Sequence, residues 1–259
     1  MFIEERHQQI LKTLNDTGRI TTAQIEEAFG VSYDSAKRDL RILEEKGLLK
    51  RTHGGALPIR SVGAGAEIHH LSAAERVPVV KENYQAIARE AAKMIQPQDV
   101  VFVTGASIGY LLVRSLPQDL TCTIVTNSIS IAAELRRYPQ ITTIMTGGEM
   151  HSNGSFYDEF TLSVLRRIRF DKCFITSSAI SANFGLSIHK SRNVGVVNTV
   201  LAQSQQCIGL YPTEKVGFDS IISICPASKL DVLITDWDAA DKDLERFGEL
   251  GIEIRIAEK

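Results

Sequence analysis

In one short stretch the chain sets out Ser32, Tyr33, Ser35, Lys37, Arg38 and Arg41, followed by Lys50 and Arg51 and then His53. Ammonium and guanidinium groups can contact phosphates or the edge of guanine in the major groove, and Ser and Tyr hydroxyls can bond bases or backbone. From Tyr33 to Arg60 seven Lys and Arg stand against four Asp and Glu, in a chain whose net charge is −2. The balance predicts a local basic patch, with Lys37, Arg38 and Arg41 as the leading contacts to a nucleic acid. Phosphate would repel Asp34 and Asp39, which therefore either orient the basic side chains or point away. The competing reading is a solvated helix laced by Asp34–Arg38 and Arg41–Glu45 pairs. His53 reads equally as a phosphate or minor-groove contact and as a turn residue, and Gly54-Gly55 as backbone positions needing positive φ.

A second set of residues lies further along. Thr104-Gly105-Ala106-Ser107, Thr126-Asn127-Ser128 and Thr146-Gly147-Gly148 each end an apolar run, and Lys215 follows another. Helix N-termini behind such turns point backbone N–H groups and a positive dipole at anions, so Thr104, Gly105, Ala106, Ser107, Asn127, Ser128, Gly147, Gly148 and Lys215 form a candidate anion site. Any single turn of this kind is ordinary helix capping, and the argument rests on three together with a lysine. Cys122, Cys173, Cys207 and Cys225 are far apart in sequence and read as reduced core residues. No metal site and no cofactor is expected.

The elements that must position these residues follow from periodicity. Ile10, Leu11 and Leu14 start a first helix; Thr21-Thr22 caps a second that Gly30 stops; Ser32 caps a third, carrying Ala36, Leu40 and Leu43 at helical spacing up to Gly47. Leu48–Thr52 and Ala56–Pro58 read as a hairpin turned at His53-Gly54-Gly55. Three helices and a hairpin describe a winged helix-turn-helix. The small, flexible Ser61–Gly65 stretch marks a linker. Beyond it, strands predicted at 100–104, 123–126, 142–146, 172–176, 206–210, 232–235 and 253–256 alternate with helices at 84–94, 107–116, 128–137, 159–167, 194–203 and 240–249. That alternation predicts an α/β domain with a mainly parallel sheet. The expected organisation is 1–60 for the winged helix, 61–77 for the linker and 78–259 for the α/β domain.

With 259 residues, 44% hydrophobic and 23% charged, the chain has the composition of a globular protein rather than a disordered or fibrous one. It shows neither a membrane-spanning apolar run nor a signal-peptide pattern, so a cytoplasmic protein without membrane contact is expected.

The N-terminal motifs resemble the DeoR family of bacterial transcriptional regulators. They are Glu5-Arg6-His7-Gln8-Gln9-Ile10-Leu11, Gly18-Arg19-Ile20, Phe29-Gly30-Val31-Ser32, Lys37-Arg38-Asp39-Leu40 and Gly47-Leu48-Leu49-Lys50-Arg51-Thr52-His53-Gly54-Gly55-Ala56. From about residue 78 to 256, Gly147-Gly148-Glu149, Glu214-Lys215-Val216-Gly217 and Leu233-Ile234-Thr235-Asp236 resemble that family's effector domain, related in fold to ribose-5-phosphate isomerase-like enzymes. The resemblance implies a repressor that binds double-stranded operator DNA, responds to a small phosphorylated metabolite and assembles as a dimer or tetramer. Departures from the family pattern are specific: Lys37 stands where an Arg is usual, and Val103 and Asn193 where acidic residues are common. Pro212-Thr213-Glu214-Lys215 replaces the frequent Asp-Ser-Ser-Lys. The alternative is a sugar-phosphate isomerase-like or deaminase-like enzyme, whose chemistry needs a positioned carboxylate base. Val103 and Asn193 remove the likeliest carriers, and Asp158, Glu159 and Glu214 read as surface or capping acids with no evident partner, so no catalytic residue is expected.

Overall fold

The computed structural model describes residues 3–17, 19–46, 48–52, 54–57, 71–77 and 80–259. They fall into two compact units, Met1–His70 with Glu75–Lys81 and Leu71–Ala74 with Glu82–Lys259. The predicted linker Ser61–Gly65 and the Gly47 helix stop lie outside the described residues.

In the first unit, α1 spans Ile3–Thr17, β1 Ile20–Thr21, α2 Thr22–Phe29, α3 Tyr33–Glu45, β2 Lys50–Thr52 and β3 Gly55–Leu57. Thr21 caps α2 through a reciprocal bond with Gln24, and Gly30 ends it in the left-handed region at φ 62°. Ile10, Leu14, Ile25, Leu40, Leu43 and Leu49 close a small core. The expected two-stranded hairpin is a three-stranded antiparallel sheet of order β1-β3-β2, with Thr21 opposite Gly55. This corrects the reading of Gly55: it is an extended strand residue, not a positive-φ turn position. Glycine is required there because a Cβ would lie 2.0 Å from the Ile20 carbonyl oxygen.

In the second unit the elements are α4 Glu82–Ala92, β4 Val100–Val103, α5 Ser107–Arg114, β5 Thr123–Thr126, α6 Ile129–Leu135, β6 Thr142–Met145, α7 Glu159–Leu165 and β7 Phe170–Ile175. They continue with β8 Ala179–Ser181, β9 Gly185–Ile188, α8 Val194–Gln203, β10 Ser204–Leu210, β11 Ile222–Cys225, β12 Val232–Asp236, α9 Asp241–Glu249 and β13 Glu253–Ala257. Seven strands form one sheet of order β13-β12-β10-β7-β4-β5-β6, parallel at every pairing. The carboxyl-terminal halves of its central strands are buried on both faces, where their apolar residues lie. All four cysteines are buried and free, and burial pushes the Cys122 and Cys225 thiols up to about 11.

From β4 the chain builds outward through β5 to β6, then returns to place β7 on the other side of β4. The order therefore reverses between β4 and β7, and in open sheets of this kind ligands collect at the carboxyl ends of the strands flanking that reversal. A second sheet, β11-β9-β8, is antiparallel and was not anticipated. Among the described residues no helix is long and apolar enough to cross a membrane.

Candidate functional site

The basic set occupies the outer side of α3. Ala36, Asp39, Leu40 and Leu43 turn inward. Tyr33, Lys37, Arg38 and Arg41 are exposed. Ser32 and Ser35 are engaged in the cap, with the Ser35 N–H donating to Ser32 Oγ at 3.3 Å and the two hydroxyls 3.0 Å apart. Lys37 Nζ lies 4.7 Å from the centre of the Tyr33 ring. Arg41 meets Glu45 at 3.7 Å, the pair expected from spacing. The other expected pair is not formed, and among the described residues no ion pair reaches Arg38. Arg51 joins β2 to α3: its N–H donates to Glu44 Oε1 at 2.8 Å and its guanidinium lies 3.8 Å from Glu44 Oε2. The side chain of Lys50 and all of His53 lie outside the described residues.

Asp39 does point away from this face. Its carboxylate accepts from Arg6 Nε at 2.6 Å and Arg6 Nη2 at 3.1 Å, and His7 Nε2 lies 3.0 Å from Oδ1. Burial alone would push this acid up, but the hydrogen bonds and charge of Arg6 and His7 outweigh it and hold Asp39 below its usual range. The acid that phosphate would repel is thus consumed in fastening α1 to α3.

At the carboxyl end of β4, the Thr104 N–H donates to the Phe174 carbonyl of β7, and Ala106 N–H closes a tight turn on the Thr104 carbonyl at 2.8 Å. Thr104 and Ser107 are buried while Gly105 and Ala106 are half-buried. Helix α5 starts there without a side-chain cap, leaving its first-turn amides to other acceptors. A Cβ on Gly105 would lie 2.8 Å from Ser155 Oγ, 3.0 Å from Ser128 Cβ and 3.5 Å from Asn127 Oδ1. Gly105, Asn127 and Ser128 are therefore brought together as expected, with Ser155 as an unforeseen neighbour.

Ser155 belongs to a strap running from Gly147 to Asp158. Asn127 Nδ2 donates to the Phe156 carbonyl at 2.8 Å, the Phe156 N–H donates back to the Asn127 carbonyl at 3.0 Å, and the Ile129 N–H donates to the Gly154 carbonyl at 2.9 Å. The hydroxyls of Ser128, Ser155 and Thr146 are buried without a partner. The strap's far end bears out the capping reading of Asp158 and corrects only the expectation that it lacks a partner. It caps α7 by accepting from Thr161 N–H at 3.0 Å, and accepts from Glu149 N–H as well. Those backbone bonds hold its carboxyl below the usual range.

Gly147 and Gly148 both have positive φ, at 69° and 117°, and a Cβ on Gly148 would lie 2.4 Å from Asp158 Oδ1. The structure thus places this pair beside a carboxylate at the sheet edge, two strands from β4. Glu159, also expected to lack a partner, pairs with Arg166.

Lys215 ends a single 3-10 turn, Thr213–Lys215, beyond β10. Its Nζ donates to the Ser177 carbonyl at 3.0 Å and to Thr176 Oγ1 at 3.4 Å, at the end of β7, and lies 5.8 Å from the centre of the Tyr84 ring. Ser177 Oγ is 2.8 Å from the hydroxyl of fully buried Tyr211, whose phenol burial pushes far up. Asp236, fully buried, fixes the lysine's turn: it accepts from Thr213 N–H at 2.8 Å, Thr213 Oγ1 at 2.7 Å and Asn83 Nδ2 at 3.0 Å. Asn83 Nδ2 also lies 3.0 Å from Glu214 Oε2, so Glu214 has the partner that sequence reasoning denied it. Among the described residues no group of His, Cys, Asp and Glu could hold a metal ion.

A winged helix with an outward basic face, joined in one chain to a doubly wound α/β unit, defines a DNA-binding protein with a sensor domain. Residues 6–62 match the DeoR-like helix-turn-helix domain and residues 80–237 the DeoR C terminal sensor domain, so the chain belongs to the DeoR family. It is 30% identical over 260 residues to the HTH-type transcriptional repressor GlcR of Bacillus subtilis, covering 100% of this chain and 98% of that protein. It is 28% identical to the HTH-type transcriptional regulator GolR of Listeria innocua, with 100% of both covered. Among solved structures, ribose 5-phosphate isomerase A of Methanocaldococcus jannaschii aligns over 54% of each chain at 15% identity and TM-score 0.38, too low to add to the strand order above. As a member of this family the chain is a DNA-binding transcriptional regulator and not an enzyme.

Proposed function

We propose that the chain is a repressor whose hold on operator DNA is set by a phosphorylated metabolite bound at the carboxyl ends of β4 and β7. Lys37, Arg38 and Arg41 serve as the principal DNA contacts, aided by Tyr33 and Arg51, and residues 1–60 act as the DNA-binding domain. Residues 78–259 bind effector and hold the protomers together as a dimer or tetramer, as two-fold operator half-sites require. Relatives support the regulatory sense: besides GlcR, the chain is 30% identical over 242 residues to the lactose phosphotransferase system repressor of Staphylococcus aureus, with 92% of this chain and 94% of that one covered.

The observation that carries the effector reading is Lys215, held on Ser177 and Thr176 at the point where the strand order reverses. Helix α5, which starts at Ser107 without a side-chain cap, supplies first-turn N–H donors beside the end of β4. Gly147 and Gly148 are weaker members of the set because they lie at the sheet edge and Asp158 faces Gly148. Val103 is fully buried, so no carboxylate reads a sugar hydroxyl at that position. The missing charge-assisted bond is worth about 1.5–3 kcal/mol, and an effector with few hydroxyls fits better than a common hexose or pentose phosphate.

Titration calorimetry with a panel of sugar phosphates and their unphosphorylated counterparts tests this. Only phosphorylated compounds should bind, and Lys215→Ala should weaken them about tenfold or more. Equal binding of the unphosphorylated compounds, or unchanged affinity in Lys215→Ala, would refute the effector reading.

A further inference from the structure

Lys37 lies on the exposed side of α3, and a lysine lacks the planar fork that fixes an arginine's hydrogen bonds before contact. Four residues earlier on α3, Tyr33 is 45% exposed, and its ring lies under the Lys37 ammonium at 4.7 Å. An i, i+4 pair stacks naturally on a helix. Tyr33 is not part of the buried core of this unit, and its ring is in contact with Lys37. The neighbouring cations are arranged differently: Arg41 is drawn toward Glu45 and Arg51 toward Glu44, while no ion pair reaches Arg38 among the described residues. Lys37 is thus the basic side chain of this face that is held by an uncharged, polarisable surface, which aims it without neutralising it.

We propose that Tyr33 is a positioning residue for operator recognition: its ring pre-organises Lys37 for a base edge and supplies rigidity that the lysine side chain lacks. The proposal rests on the DNA-binding role of α3 and deepens it. A ring–cation contact at an exposed site corresponds to about a two- to fivefold effect. That effect should appear in discrimination between base pairs rather than in general attraction to the duplex, because the charge of Lys37 is present with or without the ring.

The test uses the full chain and a randomised double-stranded DNA library. Sites are selected with the wild type, and the selected duplex is then competed against its single-base-pair variants. Tyr33→Ala should lose about two- to fivefold discrimination at the same base pairs at which Lys37→Ala loses it. Tyr33→Phe keeps the ring and should restore wild-type discrimination. With Lys37→Arg in place, adding Tyr33→Ala should change discrimination by less than about 1.5-fold, since the fork needs no aid. The proposal is overturned if Tyr33→Ala discriminates as the wild type does, if it fails at different base pairs from Lys37→Ala, or if Tyr33→Phe falls with it. A wild-type chain that enriches no site overturns the operator reading itself, a failure separable from these because it does not depend on residue 33.

Discussion

Replacing Asp39 with asparagine should loosen the whole first unit. The carboxylate is 3% exposed, and the Arg6 and His7 side chains that meet it are 12% and 9% exposed. Removing one member of a buried ion pair costs about 3–5 kcal/mol, because the abandoned charge stays out of water. Asparagine keeps one acceptor and the Arg6 guanidinium keeps an edge near solvent, so the low end applies, about 3 kcal/mol. At about 1.36 kcal/mol per decade this is roughly a hundredfold rise in the opening equilibrium. Hydrogen exchange on the full chain, read on α1 and α3 peptides, should show protection falling by about that factor, with the sheet of the second unit unchanged. A loss below about fivefold would refute the claim that this carboxylate fastens the two helices. The pH dependence has a definite sign: since folding lowers the acid's pKa, its contribution is complete above the ordinary Asp range and disappears as pH falls through the folded value. The gap between wild type and variant should therefore close on acidification.

Gly55→Ala places a Cβ against the Ile20 carbonyl and should cost about 1–3 kcal/mol in thermal unfolding of the first unit, with DNA affinity lost alongside; an unchanged melting profile would contradict the β1–β3 approach. Gly147→Ala and Gly148→Ala share positive φ, but only the second meets Asp158, so exchange at the start of α7 should rise distinctly more in Gly148→Ala. Asn83→Ala removes the donor shared by Asp236 and Glu214 at a cost of about 1–3 kcal/mol. Asn83→Asp should destabilise further by placing a third carboxylate there, and melting in acid should recover part of the difference.

The seven parallel strands were legible from β-rich stretches alternating with helical ones, apolar and buried in β4, β5 and β12 but partly polar and exposed at the edges in β6 and β13, and their predicted limits fall within about two residues of those found. The β8, β9 and β11 strands were not. Ala179–Ser181 and Ile222–Cys225 mix small, polar and apolar residues, and they become strands only by pairing with Gly185–Ile188, as in Ile188 opposite Ile222. β1 is two residues long and is defined by its partner alone. Asp39 could have been found: the stripe Ala36, Leu40, Leu43 leaves an i+3 vacancy that Asp39 fills, so its burial follows from the same helical spacing. What that spacing cannot give is the identity of the partners, Arg6 and His7, some thirty residues away. The turns of the candidate effector site were readable from Gly, Ser and Asn. The Ser155 strap and the Asn83–Asp236–Thr213 cluster were not, because their contacts join distant segments.

The wing of the first unit is anchored on two sides. β3 lies against β1, which leads directly into α2, while β2 is tied to α3 through Arg51 and Glu44. Helix α3 and the described strands of the wing are accordingly joined into one head. Such a head lends itself to exchange of parts. Under the DNA-binding role proposed for α3, its exposed residues could be rewritten to seek another operator while Gly55, Glu44 and Asp39 preserve the geometry in which the new side chains are offered. A change at one of those three would disturb the frame beneath those side chains rather than any one of them.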